Sequence, residues 1–324
     1  MIHKRDFLKG LAGSVITSAA PAAWSQAWPN RPVRVIETNA AGSATDLIVR
    51  SLGPLVQAGL NQSLVVENRP GASGNIAAQA TLGAPADGYT LLHATNNLLA
   101  ANPHLFQSSR LDVLKDFEYI CPLFNVGMAI VVRADSPWRS LTELIDDARR
   151  KPGQISYGTP GVGTPMHFVI EQLKHQTRVD LQHVPYKGGP LIVADLLANQ
   201  LGVGIFAFSV AAPLVQQGRL RALAVAGSQR LAMMPDVPAV GEVVKEASLG
   251  AWSAIVVPKA VPREIRVELT RHFSAAVKRP EIIEKFKPMG LDPMPGNEVT
   301  MAATVRAEYE RFGELVKRLD LKVS

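Results

Sequence analysis

Short runs of β-branched and other apolar residues alternate along the chain with segments in which apolar residues recur at helical spacing. The apolar runs predict strands at residues 33–36, 64–67, 89–94, 129–133, 155–158, 203–206, 222–226 and 254–257. A helix is predicted from Ser140 to Arg150, because a Ser-Leu-Thr-Glu capping box opens it and Pro152-Gly153 follows it. This alternation predicts an α/β fold with a mainly parallel sheet.

Toward its end the chain becomes mostly helical. Two apolar stripes at helical spacing predict two helices, one carried by Ile265, Leu269, Phe273 and Val277 and the other by Val305, Tyr309, Phe312 and Val316. The length of 324 residues suggests two domains, with a single large α/β domain as the alternative.

The first 27 residues have the pattern of an export signal. A basic head is followed by apolar and small residues at 11–23, and Ser25 and Ala27 place small residues where a signal peptidase recognises its substrate. We therefore expect residues 1–27 to be removed by cleavage near Ala27 and the mature protein to be periplasmic. The residues around Arg5 resemble the twin-arginine export motif with Lys4 in place of the first arginine, which leaves the export route open.

Composition narrows the classes of function. Loss of the signal lowers the formal net charge from +6 to +4, since it removes three positive charges and one negative. Lysines and arginines are scattered and aromatic residues make up only 6% of the chain, so a nucleic-acid partner is not indicated. Nothing after residue 27 is long and apolar enough to cross a membrane.

The chain lacks the sequence signatures of common enzyme sites. It contains no G-x-S-x-G, no phosphate-binding G-x-x-x-x-G-K-[ST], no H-E-x-x-H and no C-x-x-C, and its seven histidines lack metal-ligand spacing. We therefore expect no metal, no cofactor and no catalytic residue. The single cysteine, Cys121, lies in an apolar run that predicts burial. An exported hydrolase with an unrecognised site around Cys121 or His167 is the remaining enzymatic alternative.

Three loops rich in small residues each lead into a predicted helix, at residues 40–46, 158–165 and 186–190. The N-terminus of a helix has unpaired N–H donors and a partial positive charge, so it binds anions without a cationic side chain. Small residues in such loops are also used to form turns and to cap helices, so a single loop is weak evidence for a ligand site. Three of them without a phosphate-binding lysine favour a carboxylate ligand over a nucleotide.

Five segments together resemble the Bug family, the solute-binding proteins of tripartite tricarboxylate transporters. They are Glu67-Asn-Arg-Pro-Gly-Ala-Ser-Gly-Asn-Ile76, Ala86-Asp-Gly-Tyr-Thr-Leu-Leu92, His183-Val-Pro-Tyr-Lys-Gly188, Leu220-Arg-Ala-Leu-Ala-Val225 and Pro235-Asp-Val-Pro238. Their order and spacing follow the family from about residue 28 to residue 316.

The resemblance implies a type II periplasmic binding protein fold, with two Rossmann-like lobes and a ligand cleft between them. Lobe 1 would comprise residues 28–126 plus 229–324, and lobe 2 residues 127–228. It also implies a small-molecule carboxylate as ligand, delivery to the membrane subunits of a tripartite tricarboxylate transporter (TTT) permease, and a monomeric protein. A membrane sensor kinase is the alternative partner.

The resemblance also implies which residues bind the ligand. In lobe 1 these are Asn39, Gly42, Ser43, Thr45, Asp46, Thr95 and Asn96, and in lobe 2 they are Thr159, Gly161, Gly163, Thr164, His167, Tyr186, Lys187, Gly188 and Phe206. Asn39 stands where the family usually has an aromatic residue, and Phe206 stands where it usually has an aspartate. These departures suggest a less polar far end of the site, suited to an aromatic or longer aliphatic acid. Packing of Phe206 in the core is the alternative.

Overall fold

Two mixed β-sheets organise the chain in a computed structural model that describes residues 28–106 and 111–321. The strands are β1 (Val33–Glu37), β2 (Leu64–Asn68), β3 (Thr90–Thr95), β4 (Phe117–Val126), β5 (Met128–Arg133), β6 (Ser156–Thr159), β7 (Gln182–Pro185), β8 (Val203–Ala207), β9 (Leu220–Val225), β10 (Ala251–Pro258) and β11 (Leu291–Pro293). The predicted export signal, residues 1–27, lies outside the described residues.

Helices cover the faces of both sheets. They are α1 (Ala44–Leu60), α2 (Asn75–Leu82), α3 (Asn102–Leu105), α4 (Val113–Asp116), α5 (Leu141–Arg150), α6 (Pro165–Thr177), α7 (Gly189–Leu197), α8 (Phe208–Gln216), α9 (Val240–Val243), α10 (Arg263–Val277), α11 (Pro280–Phe286) and α12 (Glu298–Arg318). A π-helical turn (Asn97–Ala101) precedes α3. Among the described helices none is long and apolar enough to cross a membrane.

The first sheet has the strand order β11-β4-β10-β3-β1-β2, and the second has the order β7-β6-β8-β5-β9. Parallel pairs join β1 to β2 and β3, and join β6 to β7 and β8. Strand β10 is antiparallel to β3 and β4, and β5 is antiparallel to β8 and β9. The expectation of a mainly parallel sheet is therefore wrong, because the chain crosses between the two sheets through antiparallel strands.

The crossing occurs at Gly127, between β4 and β5. Its N–H donates to the Gly290 carbonyl oxygen at 2.7 Å, and a Cβ atom at this position would lie 2.8 Å from that oxygen. Glycine is thus required there by close backbone contact. The chain returns between β9 and β10, but Ala239 still pairs with Val225 and packs in the apolar core of the second sheet. The lobe boundaries at residues 126 and 229 stay a prediction.

Two helices begin at serine caps, of which the one at Ser140 is predicted from the sequence. Ser140 caps α5 by accepting from the Glu143 N–H at 3.1 Å, and Ser43 caps α1 by accepting from the Asp46 N–H at 3.3 Å. Cys121 is buried as expected, and burial raises the pKa of its thiol. A buried, protonated thiol is a poor nucleophile.

Candidate ligand-binding cleft

A cavity of about 550 Å³ opens between the two sheets, at the edge where the carboxyl ends of β1, β3, β6 and β8 lie. Both sheets contribute to its wall, through Asn39, Ser43, Ala44, Thr45, Thr95, Asn96, Asn97, Val126, Pro160, Thr164, Pro165, Met166, Gly188, Gly189, Ala207, Val210, Ala251 and Trp252. Ligands of open α/β folds bind at this edge.

Four helices begin at the cavity wall. Ala44, Pro165 and Gly189 are the first residues of α1, α6 and α7, and Val210 lies in the first turn of α8. Each N-terminus contributes unpaired N–H groups and a partial positive charge. None of the described residues that line the cavity is charged. Any positive potential that the lining residues give the cavity therefore comes from the helix N-termini.

A buried carboxylate fixes the loop ahead of α1. Glu37 and His93 are both fully buried, and Glu37 Oε2 lies 2.6 Å from His93 Nδ1. The other carboxylate oxygen, Oε1, accepts from the Thr45 hydroxyl at 2.6 Å and from the Asn39 N–H at 3.0 Å. Asn39 Nδ2 in turn donates to Thr45 Oγ1 at 3.0 Å. Two cavity-lining side chains are thus held in place by Glu37, a residue that no sequence pattern singled out.

Asp46 shapes the same loop from behind. Its carboxylate accepts from the Gly42 N–H at 2.9 Å, from Arg50 Nε at 2.8 Å and from Asn68 Nδ2 at 2.9 Å. Burial by itself would raise the pKa of Asp46, but these donors and the charge of Arg50 hold the pKa below its ordinary value. Neither Gly42 nor Asp46 lines the cavity.

The loop between β6 and α6 is held by hydroxyl groups. Thr164 Oγ1 donates to the Gly161 carbonyl oxygen at 2.8 Å, and Thr159 Oγ1 donates to the same oxygen at 3.0 Å. The Gly163 N–H donates to His167 Nδ1 at 3.2 Å. Thr164 lines the cavity, whereas Thr159, Gly163 and His167 do not.

A stack of three aromatic rings lies beneath that loop. The His167 and His183 ring centroids are 4.2 Å apart, and the Tyr157 ring lies 4.9 Å from His183 on its other side. His183 Nε2 also lies 2.7 Å from Thr159 Oγ1. Burial lowers the pKa of His167 to about 4 and, with the neighbouring His167, lowers the pKa of His183 to about 3. Both rings are therefore neutral at neutral pH.

A second space of about 670 Å³ adjoins the cavity and shares Asn39 and Pro160 with it. Tyr186, Lys187 and Gly161 line it. The Tyr186 hydroxyl donates to Asp195 Oδ2 at 2.6 Å, and burial together with Asp195 raises the pKa of Tyr186 to about 12.

The two lobes touch across this space. Ser73 has a left-handed backbone (φ 51°), and its carbonyl oxygen accepts from Asn97 Nδ2 at 3.0 Å and Asn102 Nδ2 at 3.1 Å. Its hydroxyl donates to the Val162 carbonyl oxygen in the other lobe. A second contact joins the Ala40 N–H to the Lys187 carbonyl oxygen at 3.2 Å. The segment 67–76 therefore builds a contact between the lobes.

The helix α12 supports one wall of the cavity through a carboxylate. Glu308 Oε1 accepts from Trp252 Nε1 at 2.9 Å, and Glu308 Oε2 accepts from Asn96 Nδ2 at 3.2 Å. Burial raises the pKa of Glu308, although both hydrogen bonds oppose the shift. Asn96 Nδ2 also donates to the Gly250 carbonyl oxygen at 3.1 Å.

The predicted site residues fall into three groups. Seven of them line the cavity: Asn39, Ser43, Thr45, Thr95, Asn96, Thr164 and Gly188. Three line the adjoining space: Gly161, Tyr186 and Lys187. The other six line neither space: Gly42, Asp46, Thr159, Gly163, His167 and Phe206. Phe206 is fully buried in the core of the second sheet. The apolar wall comes instead from residues that the sequence analysis did not select, Val126, Met166, Val210, Ala251 and Trp252.

Two α/β lobes that enclose a cavity at the ends of their strands are the type II periplasmic binding protein fold. Residues 48–321 match the model of the tripartite tricarboxylate transporter family receptor. The chain therefore belongs to that family, to which the Bug proteins are related in sequence and structure.

Similar proteins cover almost the whole chain. A UPF0065 protein of Bordetella bronchiseptica is 32% identical over 96% of this chain and 92% of its own. A solved structure of R. palustris Rpa4515 with adipate is 29% identical, with a TM-score of 0.87 over 91% of this chain and 99% of its own. The periplasmic binding protein BugD is 27% identical, with a TM-score of 0.86 over 91% and 99% of the two chains.

Proposed function

We propose that the protein is an exported periplasmic receptor that captures a small organic carboxylate between its lobes and delivers it to a TTT permease. The observation that carries the proposal is the convergence of four helix N-termini on a cavity without a charged residue among its described lining. Backbone N–H groups stabilise a carboxylate through charge-assisted hydrogen bonds.

The carboxylate would lie at the polar end of the cavity, where the loops ahead of α1 and α7 meet. Ser43, Thr95 and Gly188 line that end. A Cβ atom on Gly188 would lie 3.6 Å from the Ala40 Cβ, so the two loops face each other closely. Rigid, pre-formed loops reduce the entropy lost when the ligand is held.

Capture would be coupled to lobe closure. The contacts of Ser73 with Val162 and of Ala40 with Lys187 join the lobes and would break if the lobes moved apart. A ligand bridging both lobes favours the closed population by its differential affinity for that state. No bond of the ligand is broken in this scheme. The family description and the adipate complex of a relative support a transport role for an acid.

The test is a thermal-shift screen on exported protein that has been unfolded and refolded to remove carried-over ligand. The panel holds aliphatic di- and tricarboxylates, aromatic acids, amino acids, sugars and the amides of the acids. A ligand at about 100 times its dissociation constant stabilises the native state by about 2.7 kcal/mol. We expect hits among the acids and none among their amides. Equal binding of an acid and its amide, or a response to sugars alone, would contradict the proposal.

A pair of matched variants separates binding from folding. Ser43→Ala and Ser140→Ala each remove the side chain that caps a helix N-terminus, and each should cost about 1 kcal/mol of stability. Of these two serines only Ser43 lines the cavity. Only Ser43→Ala should therefore also lower the affinity for the ligand, as measured by calorimetric titration. An unchanged affinity in Ser43→Ala would show that the N-terminus of α1 does not contribute to ligand binding.

A further inference from the structure

We infer that the ligand carries a single carboxylate on an apolar body with a neutral hydrogen-bond donor at its far end, and that Glu308 is the positioning residue that sets this preference. The inference rests on the proposed function and specifies the class of acid. It starts from the difference between the two ends of the cavity.

The polar and apolar ends are separated by the strand order. Polar side chains follow β1 and β3, whereas the next two strands, β10 and β4, contribute Ala251 and Val126, which pair with each other in the sheet. The opposite lobe adds Ala207 beside the crossing point, where the Phe208 N–H donates to the Gly127 carbonyl oxygen at 2.8 Å. The end of the cavity near the crossing point therefore suits an apolar group.

Asn96 lies at the border between the two ends. The whole residue is 1% exposed. The Gly250 carbonyl oxygen can only accept a hydrogen bond, so the Asn96 atom that faces it at 3.1 Å has to be Nδ2. Glu308 Oε2 accepts from the same nitrogen. Asn96 Oδ1 is then left as a buried acceptor without a hydrogen-bond partner among the described residues.

Glu308 also decides what Trp252 offers to the ligand. The indole N–H is the only polar group of the tryptophan side chain, and in Trp252 it donates to Glu308 Oε1. Trp252 therefore contributes an apolar ring to the cavity wall. Glu308 thus draws two N–H donors away from the cavity and leaves an apolar ring and an unpaired acceptor.

This wall disfavours a second carboxylate. An ionised oxygen beside Asn96 would meet another acceptor, with the Glu308 carboxylate behind it, and no cationic side chain is among the described lining residues. Arg311, one turn further along α12, donates to the Ser248 carbonyl oxygen and does not line the cavity. A hydroxyl or amide N–H group on the ligand would instead donate to Asn96 Oδ1. Without such a donor, this buried acceptor is unsatisfied, which costs free energy.

The experiment compares two matched sets of acids, and within each set the acids share the same ring or the same six-carbon chain. One set is benzoate, 4-hydroxybenzoate and terephthalate, and the other is hexanoate, 6-hydroxyhexanoate and adipate. Calorimetric titration of the refolded wild-type protein should rank the hydroxy acid first and the dicarboxylate last in the set that fits the cavity. One buried hydrogen bond corresponds to about tenfold in affinity, so we expect at least that ratio between hydroxy acid and dicarboxylate.

The variant Glu308→Gln tests the positioning role. Trp252 and Asn96 donate to different oxygens of Glu308, and in glutamine one of these oxygens is replaced by an NH2 group, which cannot accept. One of the two donors therefore loses its acceptor and is released toward the cavity. The ratio of hydroxy-acid to dicarboxylate affinity should fall by about tenfold. Glu310→Gln, an exposed residue on the same helix, is the control and should leave the ratio unchanged. A merely structural role of Glu308 would weaken all acids alike.

Each outcome decides a separate point. Tightest binding of a dicarboxylate by the wild-type protein overturns the inference and leaves the proposed function intact. The expected wild-type ranking with an unchanged ratio in Glu308→Gln overturns the role of Glu308. Failure of every acid in the wider screen overturns the proposed function, and the inference with it.

Discussion

Acidification should weaken the second lobe through the stacked histidines. His167 is 5% exposed, and its Nδ1 accepts from the Gly163 N–H, so a proton on that nitrogen removes the hydrogen bond. The ring faces His183 at 4.2 Å, and Lys174 adds a further positive charge nearby. Glu171 Oε1 is 3.9 Å from His167 Nε2 but is already 2.9 Å from the Lys174 ammonium.

The sign and size of the effect follow from the pKa values. His167 has a folded pKa of about 4, lowered from 6.5 mainly by burial. Because the folded value is the lower one, its contribution to stability is present above the unfolded pKa and is lost as the pH falls toward the folded pKa. A shift of this size corresponds to a loss of about 2 kcal/mol between about pH 7 and about pH 4.5. His183, with a folded pKa of about 3, adds a loss of the same sign.

Chemical denaturation at the two pH values measures the loss. His167→Asn keeps an acceptor for the Gly163 N–H and removes the titrating group, so it should flatten the pH dependence by about 2 kcal/mol. His175→Asn, at an exposed position of the same helix, should not change it. Equal pH slopes in wild type and His167→Asn would refute the assignment of the loss to the stacked pair.

Two further predictions concern the loops around the cleft. Gly163→Ala would place a Cβ atom 2.3 Å from Leu105 Cδ1 in the other lobe at φ +76°, whereas Gly218→Ala meets nothing within 4 Å at φ +67°. Both substitutions should cost about 1 kcal/mol of stability. Calorimetric titration should show a large loss of ligand affinity only for Gly163→Ala. Equal affinities of the two variants would mean that the lobes do not close on this contact. Asp46→Asn should cost about 1–3 kcal/mol at neutral pH by weakening charge-assisted hydrogen bonds. Because the folded pKa of Asp46 lies below its ordinary 3.8, the difference from wild type in denaturation should shrink as the pH falls through that folded pKa, and a difference that persists in acid would contradict the charge argument.

The sequence alone indicated features that are encoded within a few residues. These features are the alternation of strands and helices, the cap at Ser140 and the three loops that lead into α1, α6 and α7. They are local because a cap or a glycine turn depends on its immediate neighbours. Strand β4 was missed because Pro122 and a register shift interrupt its apolar pattern. The short edge strands β7 and β11 carry too few apolar residues to be recognised.

Only the tertiary structure decided which side chains face the cavity. The order of the strands brings the N-terminus of α8 and the ring of Trp252 to the cavity wall. The side chain of Phe206 points into the core, because successive side chains of a strand face opposite ways. Asn96 and Glu308 are 212 residues apart in sequence. Their contact exists only once α12 packs on the first sheet, so no local pattern could reveal it. The sequence predicted the loops that lie at the cleft, and the packing decided which side chains surround it.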